Sequence, residues 1–486
     1  MSRPAFIAAV AAIALVTVIR IAVTQSLFSP TYDEPLHVAS GFQYWTEHKY
    51  TNDRSHPPLA RAVFAWPLRH AKVSGADGFD RAGQMFESAG DYMRGVVLAR
   101  RGNLIFVVLA IIGVALWCVQ LMGRAAATIA AAVFALLPPV LAHGTLATTD
   151  MAGVAGFAMA MAAFQWWLDA PTWRRTAVLA LALGFGLLTK MSFPMFFAIG
   201  AATLMVLAKR WPIVRGLAAL VGAFVVVDAM YFFGKLALYF KGFRDLMNQN
   251  WSGFDSYFLG HVGSMGHWAY FPVLLLIKTP IPALLLMIAG VVIAVRTKEH
   301  RALAIIAGLL LALVMMSSIN RGIRHILPIY VPLSMLAAFA VMRLWRVRPG
   351  FSLAVIALGA WLVVNSALAH PDYLPWSNAL AGRHPERIAL DSNFDWGQDI
   401  LRLRNECRRR GITDLHAALF GQVDLRRIAM PPTHPIDPMR AGTPGWYAVS
   451  ESIVIPAQAR NRAAYRWLTD NRGFVRVGQS IRLYRL

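Results

Sequence analysis

Apolar residues in this chain come in long unbroken runs, not in the period-two alternation of strands or the one-sided stripe of a surface helix. The runs lie at about 4–25, 95–120, 126–142, 150–168, 176–190, 192–208, 213–233, 271–295, 302–318, 326–342 and 350–369. A run of about 20 such residues spans the roughly 30 Å hydrocarbon core of a bilayer. Backbone polar groups in lipid must pair among themselves, and nothing here alternates like barrel strands, so the runs are helices. The pattern predicts an α-helical polytopic membrane protein with about 11 transmembrane helices. The runs at 176–190 and 192–208 also fit one helical hairpin. The first run could open a signal peptide, but Val23-Thr24-Gln25-Ser26 lacks an A-x-A-like site and the run is long, which favours an uncleaved helix.

Polar segments between the runs fall into two sets. Alternate connections are basic: Arg124; Arg174 and Arg175; Lys209, Arg210 and Arg215; Arg296, Lys298 and Arg301; Arg343, Arg346 and Arg348. Basic loops mark the cytoplasmic face, which puts the N-terminus inside and, with an odd number of spans, the tail outside. The opposite face of the plasma membrane then receives the long loop 26–94, the His143–Asp150 corner, the turn near Lys190, the loop 234–270, the Asn320–His325 turn and the tail. Residues 1–369 are read as the membrane domain. From His370 the chain changes character, with Pro/Gly punctuation, a helical pattern over Gln398–Arg410 and strand-like runs at Leu415–Phe420, Trp446–Val449 and Ser480–Tyr484. The segment 370–486 is therefore read as a small extracytoplasmic α/β domain.

Composition agrees with a membrane protein. Of 486 residues, 57% are hydrophobic and 15% charged, against about a quarter charged in soluble domains. The net charge of +22 sits mostly in the short basic loops and the tail, where it meets anionic lipid, so it does not argue for nucleic acid. Two cysteines, Cys118 and Cys407, imply neither a disulfide framework nor a cysteine metal site.

Four clusters on the predicted outer face carry candidate chemistry. Thr31-Tyr32-Asp33-Glu34-Pro35-Leu36-His37 sets two adjacent carboxylates just beyond the first span, where charge is costly unless used; an ordinary solvated loop start would look the same. In Asp53-Arg54-Ser55-His56-Pro57-Pro58-Leu59, followed by Ala60-Arg61, the prolines hold His56 extended and fix its imidazole, or simply mark a loop-to-helix transition. Thr148-Thr149-Asp150 opens the fourth run; Asp150 alone reads as a helix cap, with an oxygen left facing outward. Finally Arg20, Lys190, Arg321 and Arg324, with His325, are cations on a face that should lack them. An anionic partner such as a lipid phosphate explains them, as does snorkelling to headgroups.

In this order, Asp-Glu after the first helix, His-Pro-Pro-Leu, Thr-x-Asp and then Leu-Thr-Lys (188–190) resemble the GT-C superfamily, with the protein O-mannosyltransferases and aminoarabinose transferases nearest. His370-Pro371-Asp372-Tyr373-Leu374 and the string from Asp391 to Asp399, which contains Asp395-Trp396-Gly397-Gln398-Asp399, resemble a bacterial branch of that group. The resemblance implies a polyprenyl-phosphate-linked sugar donor used on the extracytoplasmic side. By its motifs Asp33 matches the catalytic aspartate, Glu34 completes the acidic pair and Asp150 matches a second acidic position near the acceptor. Lys190, Arg321 and Arg324 fall where donor phosphate is held, with His56 and Arg20 supporting. Families of this fold differ in metal use, so a divalent metal is possible, but none and no other cofactor is expected. The expected partners are the lipid-linked donor, membrane lipid and a glycan, lipid or protein acceptor, with no nucleic acid.

One carboxylate can take the acceptor hydroxyl's proton while cations stabilise a phosphate leaving group, so inversion at an oxocarbenium-like centre needs little more. Neither the sugar nor the acceptor is legible. Protein-mannosylating relatives carry an added carbohydrate-recognition repeat between spans that this chain lacks. The aromatic loop Phe243–Tyr270, with Trp251, Tyr257, His261, His267, Trp268 and Tyr270, suits either sugar contact or the membrane interface. Two other readings compete. A lipid or solute transporter needs intramembrane ionisable residues, of which Asp228 is the clearest; a non-catalytic scaffold would use only the tail.

Overall fold

A computed structural model describes residues 1–74, 78–347, 349–470 and 473–486; Arg348 of the last basic turn lies outside them. Uninterrupted Ala/Leu/Val-rich stretches form straight helices at Arg3–Thr24, Asp150–Asp169, Ile213–Met230 and Pro349–Leu368. Interruptions fall where the chain chemistry demands them. The helical run Leu104–Ala135 is broken at Gly123, whose φ of 81° a side chain would resist. Gly144, beyond that run, packs against Val107 and Ile21, whereas Arg124 donates to the Met1 carbonyl at 3.4 Å. The run is thus a hairpin reversing beside the N-terminus. A second break at Thr279-Pro280 bends Tyr270–Lys278 against Ile281–Thr297 by 118°, within the apolar run at about 271–295.

Among the described residues, six helices are long and apolar enough to cross a membrane, or seven if the bent pair is one span. Phe193–Ala208 and Arg301–Met315 are apolar but shorter. That count takes the run reversing at Gly123 as one helix and leaves out the shorter apolar ones, so it does not fix the number of spans. The long loop 26–94 is itself mostly helical, with Glu34–Glu47, Pro58–Ala65, Gly78–Glu87 and Tyr92–Arg101.

In the tail, five strands form one sheet in the order Thr433–Pro435, Leu415–Ala418, Trp446–Ser450, Ile481–Arg485, Phe474–Val477. The first two pairings are parallel and the last two antiparallel. The helix Ile400–Arg410 packs its Leu403 and Cys407 into the same core that holds Val38, Phe42 and Phe64 of the membrane portion. A smaller core around Val449, Val454, Leu468 and Tyr484 belongs to the tail alone. Lys278, buried, donates to the carbonyls of Leu374 (3.0 Å), Trp376 (2.7 Å) and Asn393 (2.5 Å), tying the bent helix to the tail.

Basic turns gather at the end marked by Met1. Arg210 donates to the Leu168 and Asp169 carbonyls, and Arg343 pairs with Glu299. The helices run from there to the opposite end, where Asp33, Asp150, Lys190 and Arg324 meet.

Candidate active site

After Thr24 the chain turns and starts its next helix at Glu34-Pro35, proline being well placed in a first helical turn. The tail holds this turn: the Ser29 hydroxyl donates to the Gly397 and Gln398 carbonyls (2.8 Å each), and the Tyr32 N–H to Trp396 O (3.0 Å). The adjacent carboxylates then part company. Glu34 is buried at 1% exposure. It receives Arg100 Nε and a terminal Arg100 nitrogen (2.8 Å each), the Ala147 N–H (2.8 Å) and the Thr31 N–H (2.7 Å). Asp33 instead faces open space, with one oxygen accepting from Arg324 at 2.8 Å.

Two cavities meet at Asp33. One, of about 180 Å³, is walled by His56, Lys190, His325, Arg321, Arg324 and Asp33. The other, of about 300 Å³, is walled by Asp33, Arg321 and Arg324 again, with Tyr32, Tyr257, Tyr270, Asp391 and Trp396. A larger hollow of about 830 Å³ lies elsewhere, around Pro67, Lys72 and Arg94, and none of the predicted site residues lines it.

Pairing the charges is informative. Arg324 engages Asp33, and its guanidinium lies 4.4 Å over the Trp396 ring. Lys190 donates to Asp150 at 2.6 Å. Arg61, fully buried, pairs with Asp53 and donates to His37 Nδ1 (2.9 Å) and Tyr50 OH (3.0 Å). Among the described residues, Arg321 has no ion-pair partner; it lies 4.2 Å over the Phe254 ring with its Nε unmatched. Among the described residues Asp391 likewise lacks an ion pair, and it lines the cavity of about 300 Å³. His56 contacts the Thr149 hydroxyl (3.1 Å); burial and the Arg61 charge push its imidazole down to about 4, so it is neutral at pH 7.

Three of the predicted site residues lie away from both cavities. Glu34 does not line either cavity: its oxygens are consumed by Arg100, Thr31 and Ala147, a structural use. Asp150 has no outward oxygen. It is buried, one oxygen on Lys190 and the other accepting from the Thr148 hydroxyl at 2.8 Å, and no side chain caps its helix. It holds Lys190 and lines neither cavity. Arg20 points away, donating to the Ser366 hydroxyl (2.9 Å) and carbonyl (2.5 Å) and so pinning the first helix to Pro349–Leu368. The aromatic loop is likewise split, for Tyr257 and Tyr270 reach the cavity whereas Trp251 and Trp268 are exposed outside it.

Sequence reasoning assigned no role to the Asp391–Asp399 string, and it holds the site together. The Ser392 hydroxyl donates to the Arg321 carbonyl, and Asn393 Oδ1 accepts from the Ile323 N–H at 3.0 Å. Gly322 between them has φ 128°, and a Cβ there would run into Ser392. Asp395 accepts from the Ser452 N–H (2.9 Å), and Asp399 from Gln479 and Ser480 N–H (2.9 and 3.1 Å). Its density of Asp, Asn and Gln, each a backbone-binding side chain, was the available signal. Asp228, on which a transporter reading leans, caps its own turn by accepting from Gly234 and Leu236 N–H, 3.0 Å each. Among the described residues no three His, Cys, Asp or Glu side chains gather as a metal site.

Residues 8–241, just under half of the chain, match the family model for dolichyl-phosphate-mannose-protein mannosyltransferase. In structure, the chain superposes on ArnT from Cupriavidus metallidurans bound to undecaprenyl phosphate with a TM-score of 0.54 at 12% identity, covering 99% of this chain and 98% of that one. The chain has the GT-C fold of that enzyme. The apo state of the same ArnT gives a TM-score of 0.54 at 13% identity, covering 99% of this chain and 97% of that one. The oligosaccharyltransferase AglB from Archaeoglobus fulgidus, in complex with an inhibitory peptide and a dolichol-phosphate, gives 0.48 at 13%, covering 94% and 71%. No curated protein matches the chain in sequence.

Proposed function

We propose that the protein transfers a sugar, with inversion, from a polyprenyl-phosphate-linked donor to an acceptor hydroxyl at the extracytoplasmic face of the plasma membrane. The observation that carries this is the shared wall: Asp33, Arg321 and Arg324 border both cavities, so one carboxylate stands between a cationic chamber and an aromatic one. The cationic chamber takes the donor phosphate. Arg321 is the unpaired cation that meets it, Lys190 is held in place by Asp150, and Arg324 exchanges Asp33 for phosphate oxygen. The undecaprenyl phosphate in the ArnT structure supports a lipid phosphate as that ligand.

Release from Arg324 leaves Asp33 free to act as general base. The acceptor O–H gives its proton to Asp33 as the acceptor oxygen bonds to the anomeric carbon. On the opposite face the bond from that carbon to phosphate oxygen breaks, and its electron pair leaves with the polyprenyl phosphate. The guanidinium groups stabilise the charge that develops there. His56, neutral, shapes the chamber without adding charge. The reading invokes no metal, because arginines fill the electrophilic role. The gathering of basic turns at the end away from Asp33 supports an extracytoplasmic site.

The test is Asp33→Asn in the purified full chain. Transfer should fall by about 10²- to 10⁴-fold while undecaprenyl phosphate still binds. Turnover that survives the substitution removes Asp33 from the chemistry. Sidedness is read with a cysteine introduced at an exposed tail position, since both native cysteines are buried; labelling of intact cells by a membrane-impermeant maleimide is expected.

A further inference from the structure

The larger cavity holds a second carboxylate that the reaction just described does not use. Asp391 sits at φ 56°, a left-handed position that a side chain adopts only where its surroundings dictate it. Its neighbours do so, for Ser392 and Asn393 are both bonded to the turn that carries Arg321 and Arg324. One Asp391 oxygen accepts its neighbour's N–H, Ser392, at 2.6 Å. Among the described residues the other oxygen has no hydrogen-bond partner, and the side chain lines the cavity that Asp33 borders. The remaining acid there, Asp255, is already paired with Arg460.

Much of the remaining wall is aromatic, beside Arg321, Arg324 and Asn320. Tyr32 is stacked on Phe420 with ring centroids 5.3 Å apart, and Tyr257, Tyr270 and Trp396 also line the cavity. Flat apolar faces beside open carboxylate oxygens suit a ligand with C–H faces and rows of hydroxyl donors. A volume of about 300 Å³ is at the small end for a ligand pocket, the scale of a compact ring rather than a chain. A peptide held by strand addition would need a free strand edge to pair with. The strand that lines the cavity, Ser256–Phe258, is paired with His261–Gly263 on one side and bridged to Ala389 on the other.

We propose that Asp391 is the acceptor-binding carboxylate and that the acceptor is a sugar ring carrying a second hydroxyl beside the one that reacts. Asp33 takes the proton of the reacting hydroxyl; Asp391 accepts a hydrogen bond from its neighbour and sets the ring's orientation. The proposal rests on the transferase reading above, and its test separates the two.

The full chain in nanodiscs is titrated with methyl glycosides of mannose, glucose and galactose, and with a Ser/Thr-rich hexapeptide, followed by saturation-transfer NMR. Undecaprenyl phosphate is titrated in parallel. At least one glycoside should bind and the hexapeptide should not. Asp391→Asn should weaken that glycoside roughly 10- to 100-fold, the scale of a lost hydrogen bond to a charged group, with undecaprenyl phosphate binding unchanged. Asparagine tolerates the left-handed conformation, so the backbone is spared. Binding of the hexapeptide in place of the glycosides, no glycoside binding, or equal binding by the variant overturns the proposal. So does a variant that loses undecaprenyl phosphate as well, because Asp391 would then act only by holding the arginine turn. Failure of the wild type to bind undecaprenyl phosphate would count against the donor reading instead.

Discussion

Glu34→Gln separates the two neighbouring acids. Every partner of the Glu34 carboxylate is a donor: two nitrogens of Arg100, the N–H groups of Thr31 and Ala147, and the Thr31 hydroxyl at 3.1 Å. An amide in its place turns NH₂ toward donors whichever way it is flipped, and leaves the buried Arg100 charge uncompensated. Breaking a buried pair on one side costs about 3–5 kcal/mol, a large share of the roughly 5–15 kcal/mol that holds a domain folded. Burial opposes ionisation of Glu34, yet the Arg100 charge and hydrogen bonds hold its carboxyl below the ordinary glutamate range. Its stabilisation is therefore present above about pH 4.3 and is lost as pH falls through the depressed folded value. The assay is thermal denaturation in detergent, with turnover counted per folded molecule. Glu34→Gln should melt well below the wild type and, below its own transition, retain turnover. A variant that melts with the wild type yet is as inactive as Asp33→Asn would refute the structural assignment and return Glu34 to the chemistry.

Arg321→Ala should weaken undecaprenyl phosphate binding by roughly 10- to 100-fold with little change in melting temperature, because no ion pair is broken; a calorimetric titration decides it. Burial pushes the Asp395 carboxyl up to about 7, so the folded state favours its protonated form. That contribution is complete below about pH 3.9 and is lost as pH rises through 7, and Asp395→Asn should flatten the decline in melting temperature across that window. Exhaustive EDTA treatment should leave transfer intact; loss of activity restored by a divalent cation would contradict the metal-free scheme.

Much of this molecule was legible in the chain, for identifiable reasons. Membrane helices announce themselves by composition alone, and Asp33 and the Lys190–Arg324 cations stood out because charge beside lipid is expensive. Glu34 did not separate from Asp33 because adjacency in sequence hides direction: successive residues at a helix start diverge by about 100°. Asp33 thus looks into the cavity while Glu34 looks into the protein. Arg20 lies close in sequence to Asp33, but its position on the first helix turns it toward Ser366. The two strands not foreseen, Thr433–Pro435 and Phe474–Val477, are the short edges of the tail sheet, too brief to show alternation. Asp391 was out of reach for another reason. It lies in the tail, and the contacts that bring it beside Asp33 pass through Ser392 and Asn393 to a turn about seventy residues earlier.

The clasp between Ser29, Tyr32 and the Trp396–Gln398 segment has a consequence for the order of biogenesis. A ribosome that has inserted every helix has made Asp33, Lys190 and Arg324, but not the indole on which Arg324 rests or the carbonyls that hold the Asp33 turn. The newly inserted bundle thus lacks one wall of the cavity beside Asp33. That wall arrives only when the last-made quarter of the polypeptide docks onto the first-made turn.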